Sequence, residues 1–140
     1  MFRECLYFNT NSLARTVNRI WTKAYRRFEL SPPHAFLLRA VLAKPGLLPR
    51  DLAEELNLSR STISRFLDSL EKRTLLVRKP TKKDGRELQV FPTQKAKEIH
   101  RELEDIGKNL TKLMHEKIGK NELSQTVTNL RGVQKKINQV

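Results

Sequence analysis

Apolar side chains recur at helical spacing along most of the chain, and the breaks between these runs predict where helices end. The first run comprises Leu13, Val17, Ile20, Ala24 and Phe28. It predicts an amphipathic helix that follows a short lead and ends near Leu30. Ser31 then offers a capping hydroxyl before Pro32, so a second, largely buried helix is expected from there to Pro45.

The next two helical runs are short, and only a few residues separate them. Their inward-facing positions are Leu52, Ala53 and Leu56, then Ile63, Phe66, Leu67 and Leu70. Pro49 opens the first run, and Asn57 marks the reversal because Asn tolerates left-handed backbone. Ser59 is the expected cap of the second run. A small residue, Ala53, suits two helices that cross closely. These features predict a helix-turn-helix motif.

The outward positions on the opening turns of the second of these helices are polar or basic. They are Arg60, Ser61, Thr62, Ser64 and Arg65. A helix-turn-helix presents these turns to the DNA major groove. Arginine can pair with guanine there, and hydroxyls can reach bases or phosphates. Because the pattern also occurs in helical bundles that never touch nucleic acid, it does not decide the function alone.

The following segment predicts a basic β-hairpin, or wing. Two apolar stretches, at 75–77 and 88–91, flank the polar run RKPTKKDGRE, whose Lys83-Asp84-Gly85-Arg86 has the chemistry of a hairpin tip. From Arg78 to Arg86 the hairpin holds five basic residues and one acid. Its positive tip would suit the DNA minor groove. The candidate contacts are Lys82, Lys83, Asp84 and Arg86. A solvated loop is the alternative, but a wing directly after a helix-turn-helix favours DNA binding.

Two further amphipathic helices are predicted at the C-terminus, separated by a break near Gly119. Their apolar positions are Ile99, Leu103, Ile106, Leu110 and Leu113, then Leu123, Val127, Leu130 and Ile137. With the first helix, they carry more apolar surface than a winged domain of about 60 residues covers, which favours a homodimer. A two-fold dimer suits a palindromic site. The alternative is that these helices fold back on their own subunit.

Composition strengthens the expectation of a polyanionic partner. The 140 residues, 38% of them hydrophobic, fit one domain with a modest core. Lys and Arg number 28 against 15 Asp and Glu, a formal charge of +13, which favours nucleic acid over the alternative of a merely solvated surface. The sequence has neither a membrane-length apolar run nor a signal-peptide pattern, so a cytoplasmic protein is expected.

Other chemistry has little support in the sequence. His34, His100 and His115 lack metal-ligand spacing and are interpreted as packing or surface residues. There is no Gly-rich phosphate loop and no nucleophile elbow, so neither an enzyme nor a cofactor is expected. Trp21 suggests either a ligand cavity or an aromatic residue at the dimer core, and the dimer core is favoured. The single Cys5 excludes an internal disulfide framework.

The order of these elements resembles the MarR family of bacterial winged helix-turn-helix regulators over essentially the whole chain. LSRSTISRFLDSLEKRTLLVRK is similar to that family's recognition helix and first wing strand, and Asp84-Gly85-Arg86 matches its D-x-R wing motif. The segment 93–96 resembles its T-x-x-G element, with Ala96 in place of glycine, which a helix accommodates. The resemblance implies that the outward side chains at 61, 62, 64 and 65 face the major groove. It places Arg86 near the minor groove, with Asp84 orienting the wing.

The resemblance also implies two routes of release from DNA. Many members of the family bind a small aromatic effector between the dimer helices and the winged domain. One branch senses organic peroxides through a cysteine near the start of the first helix, where Cys5 stands. Such a thiolate needs neighbouring donors, and Tyr7, Tyr25 and the cation of Arg3 are the candidates. A buried, inert thiol is the alternative.

Together these features predict a mainly α fold with a small β-wing. A single MarR-like domain spans 1–140, with an N-terminal dimerisation helix in 1–30, a winged helix-turn-helix region in 31–92 and C-terminal dimerisation helices in 93–140. The expected function is a sequence-specific, dimeric repressor on double-stranded DNA. It would read a palindromic operator through the 59–73 recognition helix and the 78–88 wing. A low-specificity, architectural nucleic-acid binder is the alternative.

Overall fold

The computed structural model describes residues 1–83 and 85–138, which form helices and one small antiparallel sheet. The helices are α1 (Leu6–Tyr25), α2 (Pro32–Ala43), α3 (Pro49–Leu56), α4 (Arg60–Lys72), α5 (Gln94–Ile118) and α6 (Lys120–Ile137), and a one-turn 3-10 helix (Arg26–Phe28) follows α1. The strands are β1 (Leu76–Pro80) and β2 (Leu88–Pro92). The predicted mainly α fold with a β-wing is confirmed.

The chain groups into two compact units, Met1–Glu104 and Asp105–Val140, and their boundary falls within α5. The first unit holds α1 to α4, the β-hairpin and the start of α5. The second holds the rest of α5 and α6. The single domain, with its divisions after residues 30 and 92, stays a prediction.

Four helix boundaries lie where short-range signals placed them, whereas α1 ends at Tyr25 and not near Leu30, because the chain tightens into the 3-10 helix. Ser31 caps α2, where its hydroxyl accepts a hydrogen bond from the His34 N–H, and Pro49 is the first residue of α3. Asn57 ends α3 in the left-handed conformation, at a φ of 52°. Ser59 caps α4. These four predictions are confirmed. Each feature could be predicted because it depends on residues that are near one another in the chain.

The core of the first unit is built from side chains of α1 to α5 and of both strands. Its largest fully buried side chains are Tyr25, Leu37, Leu38, Val41, Leu52, Ile63, Leu67, Leu70, Leu76, Val90 and Leu103. Two predicted core positions are only half-buried, Leu56 and Phe66. Leu56 lies at the end of α3, and the ring of Phe66 packs against the His34 ring, with centroids 4.2 Å apart.

The first wing strand extends further than the apolar residues indicated. It begins at Leu76 rather than Leu75 and continues through Arg78 to Pro80, since pairing with β2 sets its length. Leu75 instead closes the end of α4, where its N–H donates to the Leu70 carbonyl at 3.0 Å. The base of the hairpin is fixed as well: the Val90 N–H donates to the Leu47 carbonyl at 2.9 Å.

The terminal helices leave apolar side chains uncovered within the single chain. No described residue of α6 is buried, and its exposed apolar residues include Val127, Leu130, Val133 and Ile137. The N-terminal segment likewise exposes Phe2, Leu6, Tyr7, Phe8 and Leu13. This surplus agrees with the expectation that these helices meet a second copy of the chain. Among the described residues, no helix is both long and apolar enough to cross a membrane.

Candidate nucleic-acid interface

The outward side of α4 carries the predicted contact residues. Arg60, Ser61, Ser64 and Arg65 are exposed and Thr62 is half-exposed, whereas Ile63, Leu67 and Leu70 fill the core. The Thr62 oxygen accepts hydrogen bonds from the Ser59 hydroxyl at 2.8 Å and from the Arg65 guanidinium at 3.4 Å. Thr62 therefore supports the helix cap and orients Arg65, which the sequence pattern did not indicate.

The tip of the wing is polar and positively charged. Lys82, Lys83 and Arg86 are exposed. The Thr81 N–H donates to the Glu87 carbonyl at 2.9 Å and closes the hairpin below the tip. Asp84, the residue expected to orient the wing, lies outside the described residues.

Arg78 does not add to the positive charge of the wing tip, although it counts among the five basic residues of the hairpin. Its guanidinium donates to Glu71 at 2.7 Å and to Asp68 at 2.6 Å, both on α4. Burial opposes the charge of Arg78, but the hydrogen bonds to these carboxylates outweigh it and raise the pKa of Arg78. Arg78 therefore joins the first wing strand to the recognition helix.

Arg73 joins the end of α4 to the turn between α1 and α2. Its guanidinium donates to the Glu29 carbonyl at 2.6 Å and to the Phe28 carbonyl at 2.7 Å. The next residue, Thr74, has a φ of 58°, and its carbonyl accepts from the Thr93 hydroxyl at 2.6 Å. The C-terminal end of α4 is thus tied to the turn that follows α1 and to the residue that precedes α5. The sequence reading missed this connection.

His34 has a packing role. Burial and, to a smaller extent, the nearby Arg73 guanidinium lower the pKa of His34, which favours the neutral form of the ring that packs on Phe66. Elsewhere, no group of three His, Cys, Asp or Glu side chains suited to a metal ion occurs in the part of the chain that the structure describes.

An apolar groove of about 510 Å³ opens beside the helix-turn-helix. Its lining includes Trp21 of α1, Phe36 of α2 and Leu56 at the end of α3. Glu55 is the charged residue in the lining. Trp21 lines this groove, and both of its predicted roles, in a ligand cavity and in a dimer core, stay predictions.

Cys5 is exposed and directly precedes α1. The prediction that Tyr25 assists the Cys5 thiol is wrong within one subunit. It lies at the other end of α1, about 30 Å away at the helical rise of ~1.5 Å per residue. Its hydroxyl instead accepts a hydrogen bond from Arg39 at 3.3 Å. Arg3 and Tyr7 remain candidates by position in the chain.

Comparison with known proteins confirms the resemblance on which the sequence reading relied. A sequence model of the MarR family matches residues 28–87. SarZ, an HTH-type transcriptional regulator of Staphylococcus aureus, is 28% identical over 128 residues, which cover 91% of this chain and 83% of SarZ.

Two solved structures have the same fold. The S. aureus MepR–DNA complex matches with a TM-score of 0.83 at 17% identity, over 93% of this chain and 96% of the MepR chain. PcaV of Streptomyces coelicolor, a transcriptional regulator solved in complex with its natural ligand, matches with a TM-score of 0.80 at 23% identity. That match covers 96% of this chain and 95% of the PcaV chain.

Proposed function

Since this chain belongs to the MarR family of transcriptional regulators, we propose that it is a sequence-specific, dimeric repressor that binds a palindromic operator. The observation that carries the proposal is the outward face of α4, where Arg60, Ser61, Ser64 and Arg65 are exposed beside a basic wing. The formal charge of +13 supports a polyanionic partner. MepR, with which the chain shares its fold, has been solved bound to DNA. No catalytic role is proposed.

The contacts divide into those that read bases and those that hold the backbone. The outward residues of α4, with Arg65 foremost, would contact base edges in the major groove. Arg86 would enter the minor groove, whose negative potential attracts arginine, with Asp84 orienting the wing. Lys82 and Lys83 would bind phosphates, which adds affinity without sequence preference.

A second copy of the chain is the proposed partner of the exposed apolar residues on α1 and α6. Paired recognition helices about one turn of DNA apart would then read two half-sites. A conformational change that alters their separation or tilt would weaken operator binding.

A small aromatic effector in the groove beside Trp21 is the first proposed route of release. PcaV was solved with its natural ligand, and the Glu55 carboxylate in this groove favours a neutral phenol over an aromatic acid. Phenol should change the fluorescence of Trp21, the single tryptophan, saturably, and should release operator DNA. Phe36→Ala should weaken phenol binding about 3- to 10-fold, from the lost aromatic contact. A fluorescence change that is linear in phenol and identical in both proteins would contradict this route.

Oxidation of Cys5 is the second proposed route of release. The exposed thiol is accessible to an organic hydroperoxide, which would convert it to a sulfenic acid and be reduced to an alcohol. Cumene hydroperoxide should then weaken operator binding by the native protein and leave Cys5→Ser unaffected, as measured by fluorescence anisotropy of labelled operator. An equal response of both proteins, or of neither, would exclude the cysteine as a switch.

The proposed function is tested by selecting bound duplexes from a random DNA library at physiological salt and measuring the stoichiometry. A palindromic site that binds two chains supports the dimeric regulator. Specific regulators typically prefer their site by ~10³ or more. Salt-sensitive binding without any enriched sequence would favour the alternative, a low-specificity architectural protein.

A further inference from the structure

A cleft of about 310 Å³ lies where the N-terminal ends of α3 and α4 meet the wing. Three arginines line it: Arg50 from the first turn of α3, Arg60 from the first turn of α4, and Arg86 from the hairpin. Glu87 is the acid in the lining, and Leu48 and Leu88 are among its apolar residues. The lining of this arginine cleft holds three guanidinium groups and one carboxylate, and this excess of basic side chains favours an anion.

Arg50 is held in the cleft by an exchangeable ion pair. Its guanidinium lies 3.0 Å from the Glu87 carboxylate, and the two side chains are 56% and 39% exposed. Exposed pairs of this kind contribute little to stability. Glu87 therefore keeps Arg50 close to the cleft in the free protein, while an incoming anion can replace the carboxylate at small cost.

The position of the arginine cleft indicates which anion it meets. Arg60 begins the helix proposed to enter the major groove, and Arg86 belongs to the wing proposed to enter the minor groove. On duplex DNA, a sugar–phosphate backbone separates these two grooves. A protein that occupies both at once must therefore bring that backbone across the surface between α4 and the wing, which is where the cleft opens.

We propose that the arginine cleft is a phosphodiester subsite, in which Arg50 leaves Glu87 and pairs with a backbone phosphate. A guanidinium can donate two parallel hydrogen bonds to a phosphate, which lysine cannot. The subsite rests on the proposed DNA-binding function and adds to it a residue, Arg50, that was not among the candidates from sequence. Its role is to fix the register of the protein on the duplex, because phosphate contacts position a protein without reading bases.

Arg50→Gln is the primary test. It should weaken binding to operator and to random duplexes alike, roughly tenfold at about 0.1 M salt, and reduce the salt dependence by about one released counterion. The base preference found by library selection should not change. Arg15→Gln is the matched control, because it removes the same charge from an exposed α1 residue that does not line the cleft.

Three further variants separate the proposed exchange from a general loss of charge or of fold. Glu87→Gln frees Arg50 and should tighten binding to all duplexes about 2- to 5-fold, because Arg50 no longer gives up a carboxylate partner when it binds a phosphate. In the double variant Arg50→Gln/Glu87→Gln, most of that gain should disappear, because Arg50 is absent. Arg50→Lys should keep the salt dependence of DNA binding but lose part of the affinity. Lysine keeps the positive charge but cannot donate two parallel hydrogen bonds to one phosphate.

The outcomes distinguish the subsite from the function on which it rests. If the native protein fails to bind any duplex at low salt, the proposed function itself is overturned. If the native protein binds but Arg50→Gln matches Arg15→Gln in affinity and salt dependence, only the subsite is overturned. A changed base preference in Arg50→Gln would also overturn it, because Arg50 would then read bases. Thermal unfolding of each variant confirms that the compared proteins are folded.

Discussion

Placing a negative charge on the apolar face of α6 is expected to abolish both self-association and operator binding. Val127 and Leu130 are 46% and 45% exposed in the single chain, so glutamate at either position costs the subunit's own core little. A charge in an apolar dimer interface would be buried without a partner, which is strongly unfavourable. The double variant Val127→Glu/Leu130→Glu should therefore be monomeric in sedimentation equilibrium.

The monomer should also bind the operator much more weakly. A dimer engages its second half-site at a high effective concentration, and this effect is worth about 10²- to 10⁴-fold in affinity. Gln125→Glu is the control for an added negative charge, because Gln125 lies about 160° around α6 from Val127 and about 140° from Leu130. If the double variant still sediments as a dimer with native operator affinity, α6 is not the interface.

The sequence was informative wherever a structural feature depends on neighbouring residues. Ser31, Ser59 and Asn57 act within one turn of where they stand, so their capping and reversal roles follow from local chemistry. The wing likewise follows from turn residues between two apolar stretches. The exposed face of α4 follows from the helical period, because burial of Ile63, Leu67 and Leu70 leaves the intervening side chains facing outward.

The connections that position the candidate interface were beyond sequence reasoning. Arg73 binds carbonyls 44 and 45 residues away, and backbone carbonyls carry no side-chain signal in the sequence. Arg50 and Glu87 are 37 positions apart and become neighbours only when the hairpin folds against α3. Counting basic residues in the sequence also overestimated the positive charge of the wing, because the count treated Arg78 as equivalent to Lys82. In the structure, the carboxylates of Asp68 and Glu71 pair with the Arg78 guanidinium and offset its charge.

Arg65→Ala is expected to relax the base preference of the protein more than any other single change on α4. Arg65 is exposed, and its guanidinium is oriented by the Thr62 hydroxyl, which in turn bonds to the helix cap. This preorganisation lowers the entropy that the side chain loses when it binds. A bidentate arginine–guanine pair discriminates by about 1 to 3 kcal/mol, or roughly 5- to 150-fold.

The test is a second round of duplex selection with Arg65→Ala beside Lys82→Ala. Both variants lose one positive charge from an exposed side chain, so both should show a smaller salt dependence. Only Arg65→Ala should lose preference at one base pair in each half-site, because Lys82 on the wing is proposed to contact phosphate alone. Equal base preferences in the two variants would mean that α4 binds the backbone rather than the bases. In that case the protein would be a low-specificity architectural DNA-binding protein rather than a sequence-specific regulator, because the exposed face of α4 would not distinguish between base pairs.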